Sequence, residues 1–325
     1  MALEKTRKWR WGKNRWIVLG LIILSVVGVQ IIKPVQPHIQ VAPETLTNTL
    51  FTLPVLGDFK ITNSMVAMVL MDIVIIIIAL LVKRGVQKNP LAPKGIAGAF
   101  EMLIDSLYNM TESTAGKYAK KIFPWFATIL IIVLFANLIK LIPGFETVGL
   151  LEESAHGYEI QSLGTHWSTV VNTKAAEGGY ILKPFARALS TDLNFTAALA
   201  LIAVVMTQVI GIQAQGFHYF GKFVNTSTMF KKPFLGFMDF LVGILETISE
   251  FAKILSFAFR LFGNMFAGMV LLALIGVMIP VFMPSMIMMF ELFIGVIQAF
   301  VFGLLTMVFM AQATQGHGGE EEHAQ

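Results

Sequence analysis

The sequence predicts an all-α, polytopic membrane protein: about six transmembrane helices, the last two long and strongly tilted, plus an amphipathic helix at the membrane interface. Three observations carry this. Of 325 residues, 56% are hydrophobic and 14% charged, a balance outside the range of ordinary soluble domains. The apolar residues fall in runs long enough to cross a bilayer. The basic residues collect in alternate connecting segments, as topology signals do. The small formal charge of +4, spread beside apolar runs, is no nucleic-acid footprint, so no nucleic-acid partner is expected. The absence of cysteine removes disulfides, thiolate metal sites and nucleophilic thiols together. Six scattered histidines lack metal-ligand spacing, and no cofactor is expected.

The elements follow in order. Lys5, Arg7, Lys8, Arg10, Lys13 and Arg15 precede an apolar stretch over 16–32. This has the look of a signal sequence, but no small-x-small cleavage site follows and the run approaches the roughly 20 residues of a crossing, which favours a retained anchor. Further spans are expected over 61–82, 122–142, 193–213, 237–280 and 285–312. Six crossings put both termini on one side. With that side cytoplasmic, segments 1–15, 83–121 and 214–236 hold 16 Lys and Arg, against six in 33–60 and 140–192. This asymmetry obeys the positive-inside rule. Between two spans, residues 95–121 place Phe100, Leu103, Ile104 and Leu107 at helical spacing among charged neighbours, as an interfacial amphipathic helix does.

The chain is thereby divided into an N-terminal extension (1–60) with one extra helix and an external linker, a membrane domain (61–313), and an acidic tail (314–325) ending near Glu320, Glu321 and Glu322. The external loop 143–189 is polar and partly ordered, with His156 and His166 read as solvated. The run 237–280 would make a helix of roughly 65 Å against a hydrocarbon core of about 30 Å, so it must tilt steeply or bend. Its successor is also overlong, and Pro280 and Pro284 mark the turn between them.

These two helices carry the chemistry. The first holds Glu246, Glu250, Lys253, Arg260 and Asn264, where each charge costs about 2.5–3.5 kcal/mol at mid-bilayer. Residues 246, 253 and 260 recur every seven, nearly two turns, and 264 follows one turn later, forming a single polar stripe. On the second helix Glu291 and Gln298 share a face, with Thr306 eight residues further on. Arg260 precedes thirty uncharged residues, Leu261 to Phe290, so it does not read as an arginine snorkelling from a helix end. A guanidinium keeps its proton in proteins, and a buried one is a fixed charge that attracts a mobile carboxylate and repels passing protons. Gly263, Ala267 and Gly268 just beyond it permit close approach, either by another helix of the chain or by a neighbour that slides past. Asp72, inside the span 61–82, reads equally as a functional group or as a bond to a neighbouring helix or subunit.

The run Ser256-Phe-Ala-Phe-Arg260-Leu-Phe-Gly-Asn264-Met-Phe-Ala-Gly268 resembles the signature of the ATP synthase subunit a family, S-x-x-x-R-L-x-G-N-x-x-A-G. Asn137 to Pro143 matches its N-L-x-x-L-x-P element, Ser190-Thr-Asp192-Leu-Asn194 its T-A-D-x-N-x-T region, and Gln298-Ala-Phe with Leu304-Thr its last helix. The matches run in order from about residue 61 to 312. The resemblance implies a non-catalytic membrane subunit beside a rotating ring of c subunits, held with peripheral-stalk b subunits in the lipid bilayer of an energy-transducing, bacterial plasma membrane. It further implies two offset aqueous half-channels with Arg260 between them. Glu246 and Ser249 match positions lining the cytoplasmic one. Asn264, Gln298 and the Glu291 position match the external one, and Asn137, Ser190, Asp192 and Asn194 match polar positions near these paths.

Two departures stand out. Many bacterial relatives carry Glu directly after the A-G pair and His seven residues before the glutamine, where this chain has Met269 and Glu291. The carboxylate has crossed to the facing helix, which makes Glu291 the expected inlet relay. Lys140 stands where some relatives have an acid and reads as reaching the external interface. The rival readings are a secondary transporter, whose paired repeats and broken helices are not evident, and the stator of another ion-driven rotary machine.

Overall fold

A computed structural model describes residues 40–315, apart from 50, 55–56, 90–92, 143, 155–156, 163–167, 175–177, 224–232 and 280–282, together with seven residues between 16 and 27. The anchor expected over 16–32 falls largely outside the described residues, as do His156, His166 and the acidic tail beyond 315. Six helices are described: α1 (Asn63–Lys88), α2 (Ile96–Ala115), α3 (Ala119–Ile139), α4 (Leu193–Gln215), α5 (Pro233–Met278) and α6 (Met283–Thr314). Each internal span expected from the sequence is found within a few residues. Among the described residues, five helical segments are long and apolar enough to cross a membrane. At 46 and 32 residues, α5 and α6 extend about 69 and 48 Å at 1.5 Å per residue, so both overshoot a bilayer core unless inclined.

The helices form two compact units. The larger comprises Gln40–Leu150, Lys183–Ala267 and Leu292–Gln325, and the other includes Leu151–Leu182 and Gly268–Glu291. In the larger unit, Thr62 caps α1 by accepting from the Met65 amide at 3.4 Å, one of the donors every helix start leaves open. Little of α1 is buried; Met68, Val69, Ile73, Ile76 and Ile77 all face outward, as a lipid- or partner-facing helix requires. The core joins α3 to α6: Val133, Leu199, Ala200, Ala203, Phe257, Leu261, Met265 and Phe302 pack in one cluster. Their stripes recur at three- and four-residue steps, which is why single helical faces supply them.

Helix α2 is amphipathic as its spacing predicts. Leu107 is buried with Ile122, Phe126 and Met310, and Tyr108 meets Phe123 edge-on at 5.2 Å. Leu103 and Met102 instead face outward. The stripe that packs against the protein follows Ala97, Ile104, Leu107 and Thr111, with Leu103 at its edge. Gly116, at φ 51°, supplies the left-handed turn that reverses the chain into α3.

The segments before α1 and between α3 and α4 hold more order than their polarity implies. Strands β1 (Phe51–Leu53) and β2 (Gly57–Phe59) pair antiparallel. Strands β3 (Gly149–Ser154), β4 (Tyr158–Ser162), β5 (Ser168–Lys174) and β6 (Gly179–Pro184) form a four-stranded sheet in the order β3-β6-β4-β5. The β4–β5 pair is antiparallel, with Ile160 opposite Val170 and Ser162 opposite Ser168.

Candidate functional site

Helix α5 sorts its side chains by face. Phe257, Ala258, Leu261 and Met265 turn into the core, while Ser249, Ala252, Ser256, Arg260, Gly263, Asn264 and Ala267 are exposed. The alternation is the helical repeat itself, and it places Arg260 on an open face lined by small residues. The guanidinium donates to Ser256 Oγ at 3.2 Å, one turn earlier, which steadies it along the helix. A methyl group added at Gly263 would meet nothing within 4 Å, so the surface beside the arginine is clear. Arg260 stands eighteen residues before the end of α5, far from either terminus.

Asn264 and Gln298 meet as expected: Asn264 Nδ2 donates to Gln298 Oε1 at 3.1 Å, joining α5 to α6. Gln298 is buried, and its Nε2 has no acceptor among the described residues. Buried polar groups are as a rule hydrogen-bonded, so this donor stands out among the side chains of α6.

Glu291 is buried on α6, seven residues before Gln298. Its Oε1 lies 2.6 Å from the position of a Cβ added to Gly268, a space that only glycine leaves open. The small-residue cluster thus splits: Gly263 and Ala267 are on the exposed face, whereas Gly268 receives the Glu291 carboxylate.

Asn137 and Ser190 come together in a tie between elements. Ser190 Oγ donates to Asn137 Oδ1, and Asn137 Nδ2 donates to the Gly295 carbonyl at 2.9 Å, with both side chains fully buried. Asp192 acts as the N-cap of α4, its Oδ1 accepting from the Asn194 amide at 2.9 Å. The Asn194 side chain is exposed. Glu246 is half-buried and Ser249 exposed on the early part of α5. Asp72 lies on the exposed side of α1, opposite the packed Ala67 and Met71.

One polar constellation was not assigned from the sequence. Glu250 is buried, accepting from Lys253 Nζ at 2.8 Å and from Gln208 Nε2 at 2.9 Å, and Gln208 accepts from the Tyr219 hydroxyl at 2.6 Å. The opposite charges three residues apart were a legible signal. Gln208 and Tyr219, on other elements, were not. No cluster of potential metal ligands occurs among the described residues.

Five helical segments long and apolar enough to cross a bilayer define a polytopic, mostly helical integral membrane protein. Residues 65–311 match the ATP synthase A chain family. Similar proteins include ATP synthase subunit a 1 of Syntrophotalea carbinolica, 29% identical over 73% of this chain and 80% of that one. ATP synthase subunit a of Geobacter sulfurreducens is 29% identical, covering 73% and 82%, and that of Campylobacter jejuni 28%, covering 76% and 89%. The chain belongs to the ATP synthase A chain family.

Proposed function

We propose that this chain is the proton-conducting stator subunit of an F-type ATP synthase in a bacterial inner membrane, both termini cytoplasmic, working against a c ring and braced by peripheral-stalk b subunits. It carries no catalysis itself; it makes ring rotation the only route for protons. A ring carboxylate must be neutral to face lipid, because an uncompensated charge there is costly, and must ionise where it meets Arg260. Two offset half-channels then admit and release the proton on opposite sides of the arginine. Each proton falling through the membrane potential releases about 2.3 kcal/mol per 100 mV.

The observation that carries this reading is the exposed Arg260 in the middle of α5, on a face floored by Gly263 and Ala267. A mobile partner can reach it, which a snorkelling or internally locked arginine would not allow. Buried Glu291 and the open Nε2 donor of Gln298 support an external inlet along α6, while Glu246 and Ser249 support a cytoplasmic outlet along α5. Asn137 and Ser190 hold the walls rather than the proton, since each engages the other. Asp192 and Asn194 form the start of α4, with Asp192 shaping its first turn. The extension 1–60 and the tail 314–325 flank this membrane domain.

The test is Arg260→Ala in inverted vesicles carrying the whole complex. Loss of proton-driven ATP synthesis, with the subunit still assembled, is expected. Full synthesis without a second compensating change overturns the reading.

A further inference from the structure

Lys253 poses a problem for a mechanism that needs one governing cation. It precedes Arg260 by seven residues, about 10.5 Å along the axis and only about 20° around it. An ammonium there, free to swing outward, would offer a ring carboxylate a second place to stop.

The structure turns it inward. Lys253 Nζ donates to Glu250 Oε1 at 2.8 Å and rests 4.8 Å from the centre of the Phe309 ring, a favourable seat for a cation. The remaining Glu250 oxygen accepts from Gln208 at 2.9 Å. Gln208 is itself oriented: its Oε1 accepts a hydrogen bond from the Tyr219 hydroxyl at 2.6 Å, which leaves its NH2 to face the carboxylate. The Tyr219 ring is buried against Gly211, where an added Cβ would come within 2.4 Å of it. Glycine on α4 thus admits the ring, the ring aims the amide, and the amide holds the carboxylate.

We propose that Glu250 is a positioning residue: it clamps the Lys253 ammonium on the inner side of α5, so that Lys253 does not compete with Arg260 for the ring carboxylates. The inference rests on the reading of Arg260 given above. Both oxygens of Glu250 already accept hydrogen bonds from fixed donors, so it acts as a stationary counter-charge and not as a carrier of protons.

Glu250→Gln keeps the shape and removes the charge. In vesicles with the whole complex, proton-driven ATP synthesis is expected to fall about tenfold, equivalent to about 1.4 kcal/mol on the barrier, with the chain assembled at the parent amount. Adding Lys253→Met should return the rate to within about twofold of the parent, because the competing charge is gone. A parent-like rate in Glu250→Gln overturns the proposal. So does a double variant as slow as the single, which would make the carboxylate itself the requirement. Loss of the chain from the assembled complex in Glu250→Gln assigns the pair to assembly and overturns it equally. Arg260→Ala measured in parallel separates the two levels: an inactive Arg260→Ala beside a normal Glu250→Gln removes only this inference, whereas an active Arg260→Ala removes the function on which it rests.

Discussion

Glu291 Oε1 occupies the space that a side chain on Gly268 would fill, 2.6 Å from the position of its missing Cβ. The carboxylate of α6 therefore abuts α5 one residue before Met269, the place where many bacterial subunit a sequences carry their own acid. A group supplied from one helix reaches the level served from the other, and the glycine makes the reach possible.

Gly268→Ala displaces that carboxylate. The contact is with the end of a flexible side chain, so the structural cost is small, about 0.5–1.5 kcal/mol for an off-rotamer Glu291. Assembly should survive while proton-driven synthesis falls several-fold, as measured by vesicle synthesis rates beside subunit content. Equal loss of both would mean that the glycine serves packing only.

On the proposed function Glu291 relays protons; Glu291→Gln then removes the relay without changing its volume, and such a residue contributes about 100-fold or more. Passive proton conduction through vesicles stripped of the catalytic head should collapse accordingly. Introducing Met269→Glu into a Glu291→His background should recover a substantial part, since it places the acid on the other helix. Undiminished conduction in Glu291→Gln would remove the residue from the path.

Arg260→Lys tests whether charge alone suffices at this position. Lysine loses its proton readily when desolvated and lacks the planar fork of guanidinium. Synthesis should stay below about a tenth of the parent, a deficit of more than about 1.4 kcal/mol on the barrier. A near-normal lysine variant would reduce the requirement to any positive charge.

Asn137→Ala breaks the tie among Ser190, Asn137 and Gly295, leaving a buried hydroxyl and a carbonyl without this partner. The cost should be about 1–3 kcal/mol. It should appear as a lower heat-inactivation midpoint of the purified complex, with conduction per assembled complex little changed. A normal midpoint with lost conduction would instead place Asn137 in the proton path.

What the sequence could and could not disclose follows from how each feature is encoded. Helix placement is local. Apolar run length is a property of each segment by itself, so α1, α3, α4, α5 and α6 were legible from it. The exceptional position of Arg260 was also legible, because thirty uncharged residues follow it.

The four-stranded sheet within 149–184 was hidden because its strands are short and set in a polar, glycine-bearing segment, and their pairing order β3-β6-β4-β5 is not set by neighbours along the chain. Above all, the sequence by itself determined which residues bear charge and on which helical face they fall. Only the tertiary structure decided their partners: Lys253 shares its stripe with Arg260 yet is drawn to Glu250, and Asn137 joins Ser190 across 53 residues of chain. Spacing along one helix fixes direction, but a hydrogen bond between elements depends on distances that packing alone sets.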